Sequence, residues 1–85
     1  MPRYRIRMIN SEFESFEESD YPSLQAVRQA AISTASRVAA ESVADGAPNA
    51  AVELQIREGE EMVARHVVTL SVSDLSGAET LAGSF

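Results

Sequence analysis

The pattern of apolar and polar positions divides the chain into segments of two different periods. From Arg3 to Met8 arginines alternate with apolar residues, which is the period of two expected of a strand with one buried face. Asn10-Ser11 predicts a turn. Phe13 to Glu18 predicts a second, poorer strand. Because Phe13 and Phe16 differ in parity, we expect a bulge or a bend between them.

The period changes to 3.6 residues after Pro22. At this period one narrow apolar stripe contains Leu24, Val27, Ala31, Ala35 and Val38, and it is flanked by Ile32, Ala39 and Val43. Ser23 predicts the N-cap of this helix, and Asp45-Gly46 predicts its end. A helix of about 22 residues is about 33 Å long, close to the length of a strand of eight to ten residues. We therefore expect the helix to lie diagonally across a sheet and to cover one whole face.

The second half of the chain predicts two further strands. Apolar residues alternate with polar ones from Val52 to Arg57, and the short turn Glu58-Gly59-Glu60 leads to a fourth strand from Met62 to about Val72. Such a turn predicts an antiparallel hairpin. The predicted fold class is thus α+β, with two layers: a mainly antiparallel four-stranded sheet covered on one face by a single long helix (ββαββ). We assign residues 1–73 to one domain and residues 74–85 to a polar C-terminal tail.

Several short sequence segments resemble those of a known family. These are the opening Met1-Pro2-Arg3-Tyr4, the acidic segment after the first strand, and the helix entry that begins at Tyr21-Pro22-Ser23-Leu24. Together they resemble a family of short bacterial domains of unknown function, over most of residues 1–72. Asn10-Ser11 replaces the Asp-Gly turn of that family, and Arg5 stands where an aromatic residue is usual. The resemblance implies the β-β-α-β-β order, and it implies no function.

Composition narrows the classes of protein to consider. The 85 residues include no cysteine, which excludes disulfides and thiolate metal sites. No apolar run approaches a signal peptide or the ~20 residues of a membrane span, so we expect a cytoplasmic protein with no membrane association. The net charge of −6 disfavours a general role in coating nucleic acid.

No group of residues forms a catalytic or cofactor signature, so we predict a protein that is not an enzyme and needs no cofactor. His66 lies in an apolar strand, where a packed or edge histidine is the more common role. The acids from Glu12 to Asp20 lack the spacing of a calcium loop, although cation binding by them stays open. Arg28 lies within the apolar stripe of the helix, where it either reaches into water or pairs with one of these acids.

The arginines are the most informative polar residues. If the even-numbered residues of the first strand face the helix, five arginines have the parity to project from the opposite, uncovered face of the sheet. These are Arg3, Arg5, Arg7, Arg57 and Arg65, with Val63, Val67 and Thr69 among them. An ordinary solvated face, an interface with protein and a surface for single-stranded nucleic acid all remain open. The predicted face lacks the exposed aromatics that nucleic-acid platforms use.

We therefore expect a small non-enzymatic interaction or regulatory module. A two-layer domain of this size leaves both a sheet face and sheet edges exposed, and this predicts a homodimer through one of them. An unidentified protein partner is the other expected ligand, and nucleic-acid binding through the arginine face is the alternative.

Overall fold

The computed structural model describes residues 1–73 and contains one helix and one four-stranded sheet. The elements in chain order are β1 (Arg3–Ile9), β2 (Glu14–Asp20), α1 (Leu24–Ala44), β3 (Asn49–Glu58) and β4 (Glu61–Ser71). All neighbouring strands are antiparallel, and their order across the sheet is β2-β1-β3-β4. The predicted α+β class and the β-β-α-β-β order are confirmed. The tail assigned to residues 74–85 lies outside the described residues.

Local signals in the sequence set the connections between these elements. The Asn10 side-chain oxygen accepts hydrogen bonds from the backbone N–H groups of Glu12 and Phe13, each at 2.8 Å. The Ser23 hydroxyl caps α1 by accepting a hydrogen bond from the N–H of Ala26 at 3.1 Å. Gly46, just past the helix, and Gly59, in the β3–β4 turn, both have positive φ angles of 114° and 62°. Glycine adopts this conformation without the steric cost that a Cβ imposes.

The core lies between α1 and the central strands. Tyr4, Ile6 and Met8 of β1 are buried together with Val52, Leu54 and Ile56 of β3. The helix contributes Val27 and three alanines at intervals of four residues, Ala31, Ala35 and Ala39. These small side chains form a ridge on one side of the helix and allow its backbone to lie close to the sheet. The predicted inward face of β1 is therefore the observed one.

The helix covers less of the sheet than predicted. It packs on β3 and β4 and reaches β1, but it makes no contact with β2. Four strand axes spread over about 14 Å, whereas a helix with its side chains is about 10 Å across. The residues of β2 that pair with Tyr4, Ile6 and Met8 are also polar: Ser19, Glu17 and Ser15. Because they offer no apolar surface, nearly all of β2 is exposed.

Two predicted details of the strands are wrong. Phe13 lies in the turn before β2, and the pairing of β1 with β2 is regular, so no bulge separates Phe13 from Phe16. The irregularity lies between β3 and β4 instead, where Ile56 pairs with Ala64 and Arg57 with Met62. This leaves Val63 as an extra residue in β4, partly buried against the core rather than on the open face.

Candidate binding surface

The face of the sheet that α1 does not cover carries all five predicted arginines. We call it the open face. Residues that pair directly across antiparallel strands project to the same side of the sheet, so the pairing arranges this face in rows. Across β2, β1, β3 and β4 one row reads Glu18, Arg5, Arg57, Met62; the next reads Phe16, Arg7, Gln55, Arg65; and the third reads Glu14, Ile9, Glu53, Val67. Arg3 and Asp20 extend the face at one end.

Three of these arginines hold carboxylates of the same face. Arg3 contacts Glu18 at 3.0 Å and Asp20 at 3.6 Å. Arg7 binds Glu14 at 2.9 Å, and Arg65 binds Glu53 at 3.1 Å. Exposed ion pairs of this kind add little stability individually. Their effect here is to neutralise Arg3, Arg7 and Arg65 within the chain.

The Arg7–Glu14 and Arg65–Glu53 ion pairs are joined into one network. Arg7 donates to the Gln55 side-chain oxygen at 3.4 Å, and the Gln55 amide donates to Glu53 at 2.7 Å. The Arg7 guanidinium also lies over the ring of Phe16, 5.7 Å from its centroid, which is within the range of a cation–π contact. The Arg7 Nε is buried without a hydrogen-bond partner among the described residues. The network holds the middle row of the open face in place.

The network also shifts the pKa values of its acids. The hydrogen bond from Arg7 lowers the pKa of Glu14 and raises that of Arg7. The pKa of Glu53 is lowered by the hydrogen bond from the Gln55 amide and then by that from Arg65. Hydrogen bonds to a carboxylate favour its charged form. Both acids are thus more easily ionised in the folded chain than in the unfolded chain.

These shifts predict how stability depends on pH. A folded-state pKa below the unfolded value gives stability that is present above the ordinary carboxyl value of 4.5 and is lost as the pH falls through the folded pKa. We therefore expect the urea midpoint of unfolding to fall as the pH is lowered below that value. The Glu53→Gln variant, which keeps an oxygen acceptor but cannot ionise, should show a smaller fall.

Glu12→Gln is the matched control for this experiment. Its side chain makes no hydrogen bond or ion pair within residues 1–73. Urea midpoints measured at several pH values from neutral to about pH 3 should show the same acid sensitivity in this variant as in the wild type. Equal acid sensitivity in Glu53→Gln and wild type would contradict the proposed contribution of Glu53.

Arg5 and Arg57 differ from the other arginines of the open face. They are direct partners on β1 and β3, and neither contacts a carboxylate in the described part of the chain. Within residues 1–73 the Arg57 side chain donates only to the Glu60 backbone carbonyl, at 3.3 Å. Like charges placed directly opposite on a sheet are unfavourable. These two arginines, together with Arg7, Phe16 and Gln55, line a recess of about 210 Å³.

Apolar side chains are exposed on the same face. Phe16 is 63% exposed and Val67 is 60% exposed, and Met62 is also exposed. Sequence reasoning expected no aromatic residue on this face, and the position of Phe16 shows that expectation to be wrong. The pairing of Phe16 with Arg7 decides its side. Because β2 begins after Phe13, no bulge is needed, and Phe16 keeps the parity of Glu14, Glu18 and Asp20, which face the arginines.

The other candidate residues do not form a site with the open face. His66 pairs with Leu54 on the helix-covered side, and its Nε2 accepts a hydrogen bond from Arg28 Nε at 3.2 Å. Arg28 thus contacts a histidine and not an acid of residues 12–20. Within residues 1–73 no cluster of three or more His, Cys, Asp or Glu side chains has the arrangement of a metal site. No helix in that range has the length and apolar character needed to cross a membrane.

Comparison with known proteins identifies a family and gives no individual relative. No curated protein and no solved structure gives a significant match to the chain. A family model described as "Domain of unknown function" (DUF6894) matches residues 3–73, which include all four strands and the helix. The chain is therefore a member of the domain-of-unknown-function family DUF6894.

Proposed function

We propose that this domain is a small non-enzymatic interaction module that associates with a second copy of itself through the open face. The observation that carries the proposal is the exposure of Phe16, Val67 and Met62 together on a sheet face that no described element covers. Aromatic residues, methionine and arginine are the residue types favoured at protein interfaces. The cytoplasmic location and a regulatory role stay predictions.

The size of the face supports a weak, reversible dimer. Four strands at about 4.8 Å spacing and a usable length of about 25–30 Å give roughly 500–600 Å² per copy. The total of about 1,000–1,200 Å² is at the lower limit for specific interfaces. A two-fold axis would place the same patch on both copies. We therefore expect a dissociation constant in the micromolar range and an oligomeric state that depends on concentration.

Nucleic-acid binding is the second candidate, and one observation favours it. Phe16 lies among arginines on an open sheet face, an arrangement that can stack a base beside a phosphate contact. Three of the five arginines are already paired with carboxylates, however. Arg7 also occupies a position over the Phe16 ring. These contacts, together with the net charge of −6, favour a protein partner.

Sedimentation velocity over a range of concentrations tests the proposed dimer. Val67→Ser and Phe16→Ser each remove exposed apolar surface from the open face, and we expect each to weaken self-association about tenfold. Phe13→Ser is the control, because Phe13 is also exposed but lies in the turn before β2. A wild-type chain that stays monomeric at millimolar concentration, or equal effects of all three variants, would contradict the proposal.

A further inference from the structure

We propose that Arg5 and Arg57 form a binding site for a carboxylate group that the chain itself does not supply. The inference deepens the proposed function, because it names the chemical group that the open face takes from its partner. The site itself depends only on the geometry of one copy. The source of the carboxylate is either a side chain of a second copy or a free small organic acid.

The arrangement of the open face points to this chemistry. The other three arginines of the face each contact at least one carboxylate at 2.9–3.1 Å. Arg5 and Arg57 lie side by side in the row Glu18, Arg5, Arg57, Met62. Their neighbour Glu18 is already bound by Arg3. Two opposed guanidinium groups are thus left without an anion among the described residues. The planar donor groups of arginine match the two oxygens of a carboxylate.

The residues around Arg5 and Arg57 form a defined recess. Arg5, Arg57, Arg7, Phe16 and Gln55 line it, and its volume of about 210 Å³ fits one small group and not a long segment. The Phe16 ring gives the recess one apolar wall beside its cationic side. A carboxylate on a short aliphatic stem, such as a glutamate side chain, complements both surfaces of this recess: its charge pairs with the arginines and its stem packs on the Phe16 ring.

A second copy is able to supply such a group. Glu60 is exposed in the β3–β4 turn, and no arginine side chain contacts its carboxylate within residues 1–73. The unneutralised arginine pair on one copy and the unneutralised Glu60 on the other are complementary in charge. Neutralisation of Arg5 and Arg57 would also relieve their mutual repulsion.

Arginine side-chain NMR tests the site directly. Succinate, added at constant ionic strength against sodium chloride, should shift the Nε–Hε signals of Arg5 and Arg57 in a saturable manner. Arg57→Gln and Arg5→Gln should each weaken this binding about tenfold, since each removes a hydrogen bond between charged groups. Arg37→Gln, an exposed change on the helix, should leave the binding unchanged. Absence of shifts at Arg5 and Arg57, or an equal loss in Arg37→Gln, would overturn the proposal.

Two further arms decide the class and the source of the ligand. Tighter binding of inorganic phosphate or of a short oligothymidylate than of succinate at Arg5 and Arg57 would overturn the assignment to a carboxylate. Val67→Ser leaves the recess intact while weakening the proposed dimer. Tighter succinate binding by Val67→Ser than by wild type at high protein concentration would identify the second copy as the source, and equal binding would identify a free acid. A wild-type chain that is monomeric but still binds succinate at Arg5 and Arg57 would contradict the proposed dimer and support the proposed carboxylate site.

Discussion

The Leu54→Ala variant should lose about 3 kcal/mol of its free energy of unfolding. Leu54 lies on the central strand β3 with 0% of its surface exposed. Removal of a buried leucine side chain costs about 2–5 kcal/mol, because both the transfer of the side chain from water and the contacts around the remaining cavity are lost. The total free energy of unfolding of a domain of this length is roughly 4–13 kcal/mol. Urea unfolding followed by circular dichroism should therefore show a large fall in the midpoint.

Leu70→Ala is the matched control for Leu54→Ala. Leu70 lies on the edge strand β4 and is 39% exposed. The same chemical change should cost less than about 1.5 kcal/mol there, because less apolar surface is returned to water. Equal losses in the two variants would mean that the core does not lie where β3 faces α1.

The Ala35→Leu variant should also be strongly destabilised, for the opposite reason. Ala35 belongs to the alanine ridge of α1 and is fully buried. A leucine at this position adds three carbon atoms where the helix lies close to the sheet, so either the helix or the strands must move. Overpacking of this kind costs about 1–3 kcal/mol, and occasionally more. The loss should be measurable as a lower urea midpoint.

Ala40→Leu separates packing from helix propensity in this experiment. Ala40 is exposed on α1, and alanine and leucine have similar helix propensities. We expect the stability of this variant to stay within about 0.5 kcal/mol of wild type. A stable Ala35→Leu variant would contradict the close approach of α1 to the sheet.

The elements of the fold were predictable because each carries its own local signal. The alternation from Arg3 to Met8 identifies β1 and its buried side, and the apolar stripe between Ser23 and Gly46 identifies α1. These periods arise from the geometry of one element alone. The capping by Ser23 and the turn at Asn10 likewise depend on residues no more than three positions apart.

The strand order and the register were not predictable in the same way. They depend on which strands lie next to each other in the folded chain. β1 pairs with β3, although β2 and α1 separate them in the sequence. The displacement of Val63 depends on a bulge between β3 and β4, for which the alternating sequence gives no signal. β2 is exposed because one helix is too narrow to cover four strands. Which strand stays uncovered depends on the strand order, and that order places β2 at the edge far from the helix.

The candidate site was predictable as a set of residues and not as a set of contacts. Parity placed Arg3, Arg5, Arg7, Arg57 and Arg65 on one face, and the pairing of the strands agrees. Which of them bind acids depends on the registers between neighbouring strands. The register of β2 against β1 brings Glu14 to Arg7 and Glu18 to Arg3. The register of β3 against β1 places Arg5 opposite Arg57. The position of Phe16 beside them follows from the same register.

Intermolecular paramagnetic relaxation tests most directly whether two copies meet through the open face. The chain has no cysteine, so a single introduced thiol can carry a spin label at a known position. Thr69→Cys places the label on the open face, and Ser33→Cys places it on the exposed side of α1. Each labelled protein is mixed with unlabelled protein enriched in ¹⁵N. We predict broadening of the Phe16, Met62 and Val67 amide signals by the label at Thr69 and no broadening by the label at Ser33; no broadening from Thr69, or broadening from Ser33 alone, would contradict the account.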